Sequence, residues 1–166
     1  MSILDPLGCW RRWLLASTAA VALPAAAALG GRADSIDADA VRLAATRGPA
    51  RAAAAAVTAP GLSVQTLRLP DSSTIRQFVG PDGRVYALAW NTRSKPRLDQ
   101  LLGEHFAPYA QAGRRAMQQR SGVMHGFTVQ QGDLVVESNA HLQAHVGRAY
   151  LRSLLPDGAG ALDAVR

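Results

Sequence analysis

The order of hydrophobic and polar positions is clearest between Thr74 and Tyr109. Ile75, Gln77 and Val79 alternate with Arg76 and Phe78, the period-2 pattern of a strand. Val85, Ala87 and Ala89 alternate with Tyr86, Leu88 and Trp90. That segment is apolar on both faces, large on one and small on the other, as expected of a strand inside a sheet with its large face on a helix. Gly80-Pro81-Asp82-Gly83 between them supplies the residues of a type I turn with a glycine bulge. Leu98, Leu101, Leu102, His105, Phe106 and Tyr109 then recur at helical spacing. Ser94 is placed to cap that helix and Pro96 to start it, and Pro108 should kink or restart it.

The same reading places the other elements. Asp34-Ser35 opens a helix from Ile36 to about Arg47, with Asp37 and Asp39 in its first turn, ended by Gly48-Pro49. Residues 48–60 are alanine-rich and read as a linker within the domain. Gly61 to Leu69 is a strand whose apolar residues change phase between Val64 and Leu67, which suggests a bulge or an edge position. Gly113 to Arg120 is polar and helical. Phe127–Gln130 pairs with Leu134–Ser138 across Gln131-Gly132-Asp133, and His141–Leu151 returns across Asn139-Ala140. Residues 159–166 read as a tail after Pro156-Asp157-Gly158. The expected order is α-β-β-β-α-β-β-β: an α+β domain, residues 29–158, with an antiparallel sheet of about six strands and its helices packed on one face.

The first 28 residues change the picture. Arg11-Arg12 precede an apolar run from Trp13 to Leu29, and Ala26-Ala27-Ala28 supplies the small residues needed at a cleavage site. This is the pattern of a signal peptide cleaved between Ala28 and Leu29, with an uncleaved anchor as the alternative. RRWLL partly resembles a twin-arginine signal; no cofactor-bearing site follows, which favours the general secretory route. Cys9 is the one cysteine and lies inside the leader, so the processed chain has neither thiol nor disulfide and relies on its core, as a domain of this length can. The destination is periplasmic, or secreted.

Charge adds little. The chain holds 18 basic and 12 acidic residues, net +6. The arginines are scattered, with Arg114, Arg115 and Arg120 forming a small cluster. A solvated face explains them better than an anion site, and no nucleic-acid partner is expected.

The search for chemistry excludes more than it finds. His141 and His145 stand four apart with Glu137 nearby; on one strand their Cα atoms would lie about 13 Å apart, too far to share an ion. His105 lies beside the apolar stripe of the helix, and His125 falls in a loop. There is no serine elbow, P-loop or dinucleotide fingerprint, and Asp133 and Glu137 read as solvated rather than as a paired acid and base. No catalytic residue, metal site or cofactor is assigned. The candidate binding face comprises Trp90 with Arg93 at one strand end, and Arg148 with Tyr150 near the end of the last hairpin.

Five segments carry a family resemblance: Leu29-Gly30-Gly31 after the alanine-rich leader, IRQFVGPDGRVYALAW, LDQLLGEHFAPY, DLVVES from Asp133 to Ser138, and GRAYLRSLLP from Gly147 to Pro156. Together they resemble an uncharacterised family of small exported bacterial proteins known as a domain of unknown function. The chain departs from that pattern at Arg152, where a proline is expected, and in the alanine-rich segment after Arg47. The resemblance implies a Gram-negative, periplasmic setting and no activity. The expected function is non-enzymatic binding of a protein or envelope component through a sheet face or edge, with membrane contact only transient, during export. The alternative is a small-molecule-binding or hydrolytic domain with a pocket between helix and sheet, lined by Tyr86, Trp90 and His105.

Overall fold

The hairpin around Gly80–Gly83 occupies the middle of the sheet. The computed structural model describes residues 29–52, 61–118, 126–142, 144–156 and 165. Its strands are β1 (Thr46–Arg47), β2 (Arg51–Ala52), β3 (Ser63–Arg68), β4 (Thr74–Val79), β5 (Val85–Thr92), β6 (Gly126–Gln131), β7 (Leu134–His141) and β8 (Ala144–Leu151). All pair antiparallel in the order β1-β3-β4-β5-β8-β7-β6, with β2 also on the outer edge of β3. The six expected strands are β3 to β8. The two-residue strands β1 and β2 are additions, and β2 falls within the stretch read as a linker. Residues 53–60 of that stretch, His125, and residues 1–28, read as a signal peptide, lie outside the described residues.

The helices α1 (Ile36–Arg42), α2 (Leu98–Leu102) and α3 (Phe106–Gln118) all pack on one face. Ile36 and Ala40 of α1 join Leu98, Leu101 and Leu102 of α2 over Leu67, Ile75, Leu88, Trp90, Val136 and Ala149 of the sheet. Phe106 and Tyr109 of α3 are half-buried against the same cluster. The fold is α+β, with the helices on one side.

Local backbone chemistry corrects several boundaries. Helix α1 stops at Arg42 rather than Arg47. Ala44 takes a positive φ of 50°, its N–H donates to the Val41 carbonyl, and the Ala45 N–H donates to the Ala40 carbonyl. This is a Schellman ending without its usual glycine, and it frees Thr46-Arg47 to pair with β3. The expected central helix breaks at Gly103, where φ is 52°, not at Pro108. Residues Gly103–His105 form a 3-10 turn, and Pro108 sits in the first turn of α3, where its missing N–H costs nothing. The cap position of α2 is Arg97, not Ser94.

The turn at Gly80–Gly83 forms as expected. The Gly83 N–H donates to the Gly80 carbonyl, the Gly80 N–H donates to the Arg84 carbonyl, and Gly83 has φ 76°. The accompanying register shift at Phe78/Val79 has a consequence for the strand faces. Val85 joins Leu88 and Trp90 in the helix-side cluster, whereas Tyr86 packs with Phe78, Ala87 and Ala89 on the other face. The expected single face of Tyr86, Leu88 and Trp90 is therefore split, because a bulge adds one residue and inverts the alternation.

The phase change in β3 is not a bulge, since its register with β4 is regular. Gln65 occupies an inward position opposite Gln77, and both are buried. The last hairpin also turns later than expected: β7 continues through His141, and the loop is residues 142–143.

Candidate functional site

The sheet face away from the helices is covered at one end and open at the other. Phe78, Tyr86, Ala87 and Ala89 form its apolar part, and Val165 from the C-terminal stretch read as a tail is buried against them. Val64, Tyr150, Leu154 and Leu155 pack on this cluster. Beyond it, the strand registers align two cross-strand rows of side chains. One runs Arg76, Ala89, Arg148, Glu137, Thr128; the other runs Thr74, Asn91, Val146, Asn139, Gly126.

These ten residues, with Val165 as part of the wall, line a groove of about 690 Å³. That is within the usual size of a ligand site. The intervening residues Trp90, Gly147, Ser138 and Phe127 also border it; in a strand their side chains point to the opposite face. The groove crosses five strands from β4 to β6, roughly 19 Å at about 4.8 Å per strand spacing.

Its lining mixes polar residues with Ala89, Val146 and Val165, and it has one ion pair at its centre. Arg148 and Glu137 are direct cross-strand neighbours, and the Arg148 Nε donates to Glu137 Oε2 at 2.8 Å. The guanidinium Nη2 is also 2.8 Å from that oxygen. The pair is partly buried, so the Coulomb attraction is less screened than at the open surface. Arg76 stands 5.6 Å over the Phe78 ring, a cation–π contact that holds its guanidinium along the groove. Asn91 and Asn139 add amide donors and acceptors that suit a chain of hydroxyl or peptide groups.

Gly147 belongs to this architecture from below. A Cβ there would lie 2.4 Å from both the Glu137 carbonyl and the Trp90 ring. The indole of Trp90 thus fills the space left by the missing side chain, and its N–H has no partner among the described residues.

The expected binding residues are not brought together as one face. Arg148 is in the groove, and Tyr150 is on the same face one row nearer the covered end. Trp90 is buried on the helix side. Arg93 is exposed just past β5, its N–H donating to Ser73 Oγ at 3.0 Å. Leu29 is fully buried, and its N–H donates to the Leu101 carbonyl. Tyr86, Trp90 and His105 do not converge: Tyr86 and Trp90 belong to clusters on opposite faces, and His105 lies 3.8 Å from Glu104. Burial raises the Tyr86 hydroxyl above its ordinary pKa.

His141 and His145 stand on β7 and β8, not on one strand. They occupy successive cross-strand pairs, so their side chains point to opposite faces. No group of three potential metal ligands occurs among the described residues. Arg76, Glu137, Asn91 and Asn139 were not singled out from the sequence as one site. Arg76 and Glu137 are single charges on β4 and β7, and Asn91 and Asn139 lie towards strand ends; they become a site only when the registers are known.

No curated protein and no solved structure matches the chain. Among protein families, the one described as protein of unknown function (DUF2844) matches residues 25–163. That span takes in Ala26-Ala27-Ala28 and all eight strands and three helices of the described residues, and the chain belongs to this family.

Proposed function

We propose that the chain is exported and that its domain is a non-enzymatic envelope protein, which holds an extended polar segment of a protein or envelope component in the helix-free groove. The observation that carries this reading is the pair of cross-strand rows crossing five strands, seven of whose ten residues are polar or charged, centred on Arg148 and Glu137. A sheet face intended only to fold would bury apolar residues there or leave scattered charges in water. The Arg11-Arg12 and apolar leader pattern, with Ala26-Ala27-Ala28 before Leu29, supports export to the periplasm. No described helix is long and apolar enough to cross a membrane.

The test is made in the native cell. A photoreactive residue at Asn91 or Thr128 is expected to crosslink one envelope component, and Arg148→Ala is expected to reduce capture by about five- to a hundredfold, the loss of one charged hydrogen bond. N-terminal sequencing of the periplasmic protein is expected to begin at Leu29. Recovery of the chain in the cytoplasm with Met1 intact would sink the export part. Equal capture by wild type and Arg148→Ala would sink the groove.

A further inference from the structure

The β7–β8 hairpin ends in a conformation that its own sequence disfavours. Leu142 takes a φ of 50° in a two-residue connection between His141 and Ala144. Such turns normally carry glycine, asparagine or aspartate, because a leucine Cβ crowds the following carbonyl in this region. The Leu142 side chain is 92% exposed, so its strain is not offset by burial within the fold. A residue that is both strained and solvated serves the folded domain poorly.

Its neighbours suggest what it meets. β5 pairs with β8 up to Thr92 and His145, so Arg93 and Lys95 leave the sheet beside the start of β8, and both are exposed. Of the acidic groups there, Asp71 accepts the Ser73 N–H at 2.9 Å, stays ionised, and interacts electrostatically with Arg93. Asp99 is paired with Arg97. Arg93 and Lys95 thus outnumber Asp71 beside the leucine, and the net charge there is positive.

We infer that this end of the sheet docks on an anionic lipid surface, with Leu142 entering the interface and Arg93 and Lys95 meeting headgroup phosphates. An apolar tip with cations on one flank matches the physical demands of such a surface, where apolar burial and attraction to anionic lipid act together. The groove's outer row, at Asn139 and Val146, stands three residues behind the tip, about 10 Å at 3.3 Å per residue. It would remain clear of the lipid and accessible. The inference is independent of what the groove holds.

The experiment uses the exported chain, its N-terminus read by sequencing so that wild type and variants are identical outside the tip. Each is sedimented with phosphatidylcholine vesicles and with vesicles containing phosphatidylglycerol. The wild type is expected to partition onto the phosphatidylglycerol vesicles and to be released by salt. Leu142→Gly is expected to raise the Tm, since glycine accepts the positive φ, and to weaken partitioning about tenfold or more through the lost apolar burial. The double variant R93Q/K95Q is expected to keep the Tm and lose most of the salt-sensitive binding. Equal binding by wild type and Leu142→Gly overturns the inference, as does equal binding to both vesicle types. A lower Tm for Leu142→Gly would show that the leucine serves the fold, with the same consequence. If the variants lose a protein crosslink while vesicle binding is unchanged, the tip is a protein contact and the lipid assignment falls.

Discussion

Asp39 is the residue least at ease in the fold. It is buried in α1, and burial raises its pKa from 3.8 to about 6, against the opposing effects of a hydrogen bond from Gln77 and the charge of Arg42. Gln77 Nε2 donates to Asp39 Oδ2 at 3.3 Å, while Gln77 Oε1 has no partner among the described residues. Because the folded pKa is raised, the folded state favours the protonated acid. Its contribution to stability is complete below pH 3.8 and is lost as pH rises through about 6. Asp39→Asn is neutral at every pH, and its amide can donate to Gln77 Oε1. The variant is expected to be more stable at pH 7.5 by on the order of 2 kcal/mol, and the difference between variant and wild type should shrink towards pH 4. Denaturant midpoints across that range measure it, and a pH-independent difference would contradict the assignment. Gly147 makes the opposite case, where nothing but hydrogen fits. Gly147→Ala drives a methyl into the Glu137 carbonyl and the Trp90 ring, and should lower stability by about 1–3 kcal/mol, read as a fall in Tm with disturbed Trp90 fluorescence.

At the scale of elements, the informative places are those where a segment ends. Helix α1 ends on Ala44 in the left-handed region, a conformation that costs an alanine about 1–2 kcal/mol relative to the right-handed one. Ala44→Gly keeps both hydrogen bonds of the Schellman ending and removes the Cβ conflict. It is expected to raise stability by about 0.5–1 kcal/mol after the added freedom of the unfolded chain is counted, with a matching rise in Tm. A fall in Tm would mean that the Ala44 methyl is needed where it stands. The break at Gly103 and the Ala44 ending were hard to see in the sequence for opposite reasons. Gly103 lies inside an unbroken helical stripe, and Ala44 carries none of the usual stop residues. In both, the tertiary contacts of the flanking apolar residues decide the path, and local propensity yields to them. The Gly80–Gly83 turn, by contrast, was fully legible because its hydrogen bonds and its positive φ are satisfied within five residues.

Across the whole molecule, one twisted antiparallel sheet separates two unlike surfaces. The helix-bearing side is closed by Leu98, Leu101, Leu102, Ile36 and Leu29. The other side is closed by Val165 and its neighbours at one end and open in the groove at the other. Composition and periodicity determined the fold class, the six long strands and the helix-side stripe, because each depends on residues near one another in the chain. Arg148 and Tyr150 were visible as alternate positions on one strand for the same reason. What they stand beside was decided only by tertiary structure. Arg76 and Glu137 join Arg148 from strands 72 and 11 residues away in sequence, through registers that turns and bulges set. The bulge at Phe78/Val79 sends Tyr86 and Trp90 to opposite faces. A side chain's face follows from local alternation until one residue is inserted; its neighbours across the sheet follow from long-range pairing, which a period of two does not encode.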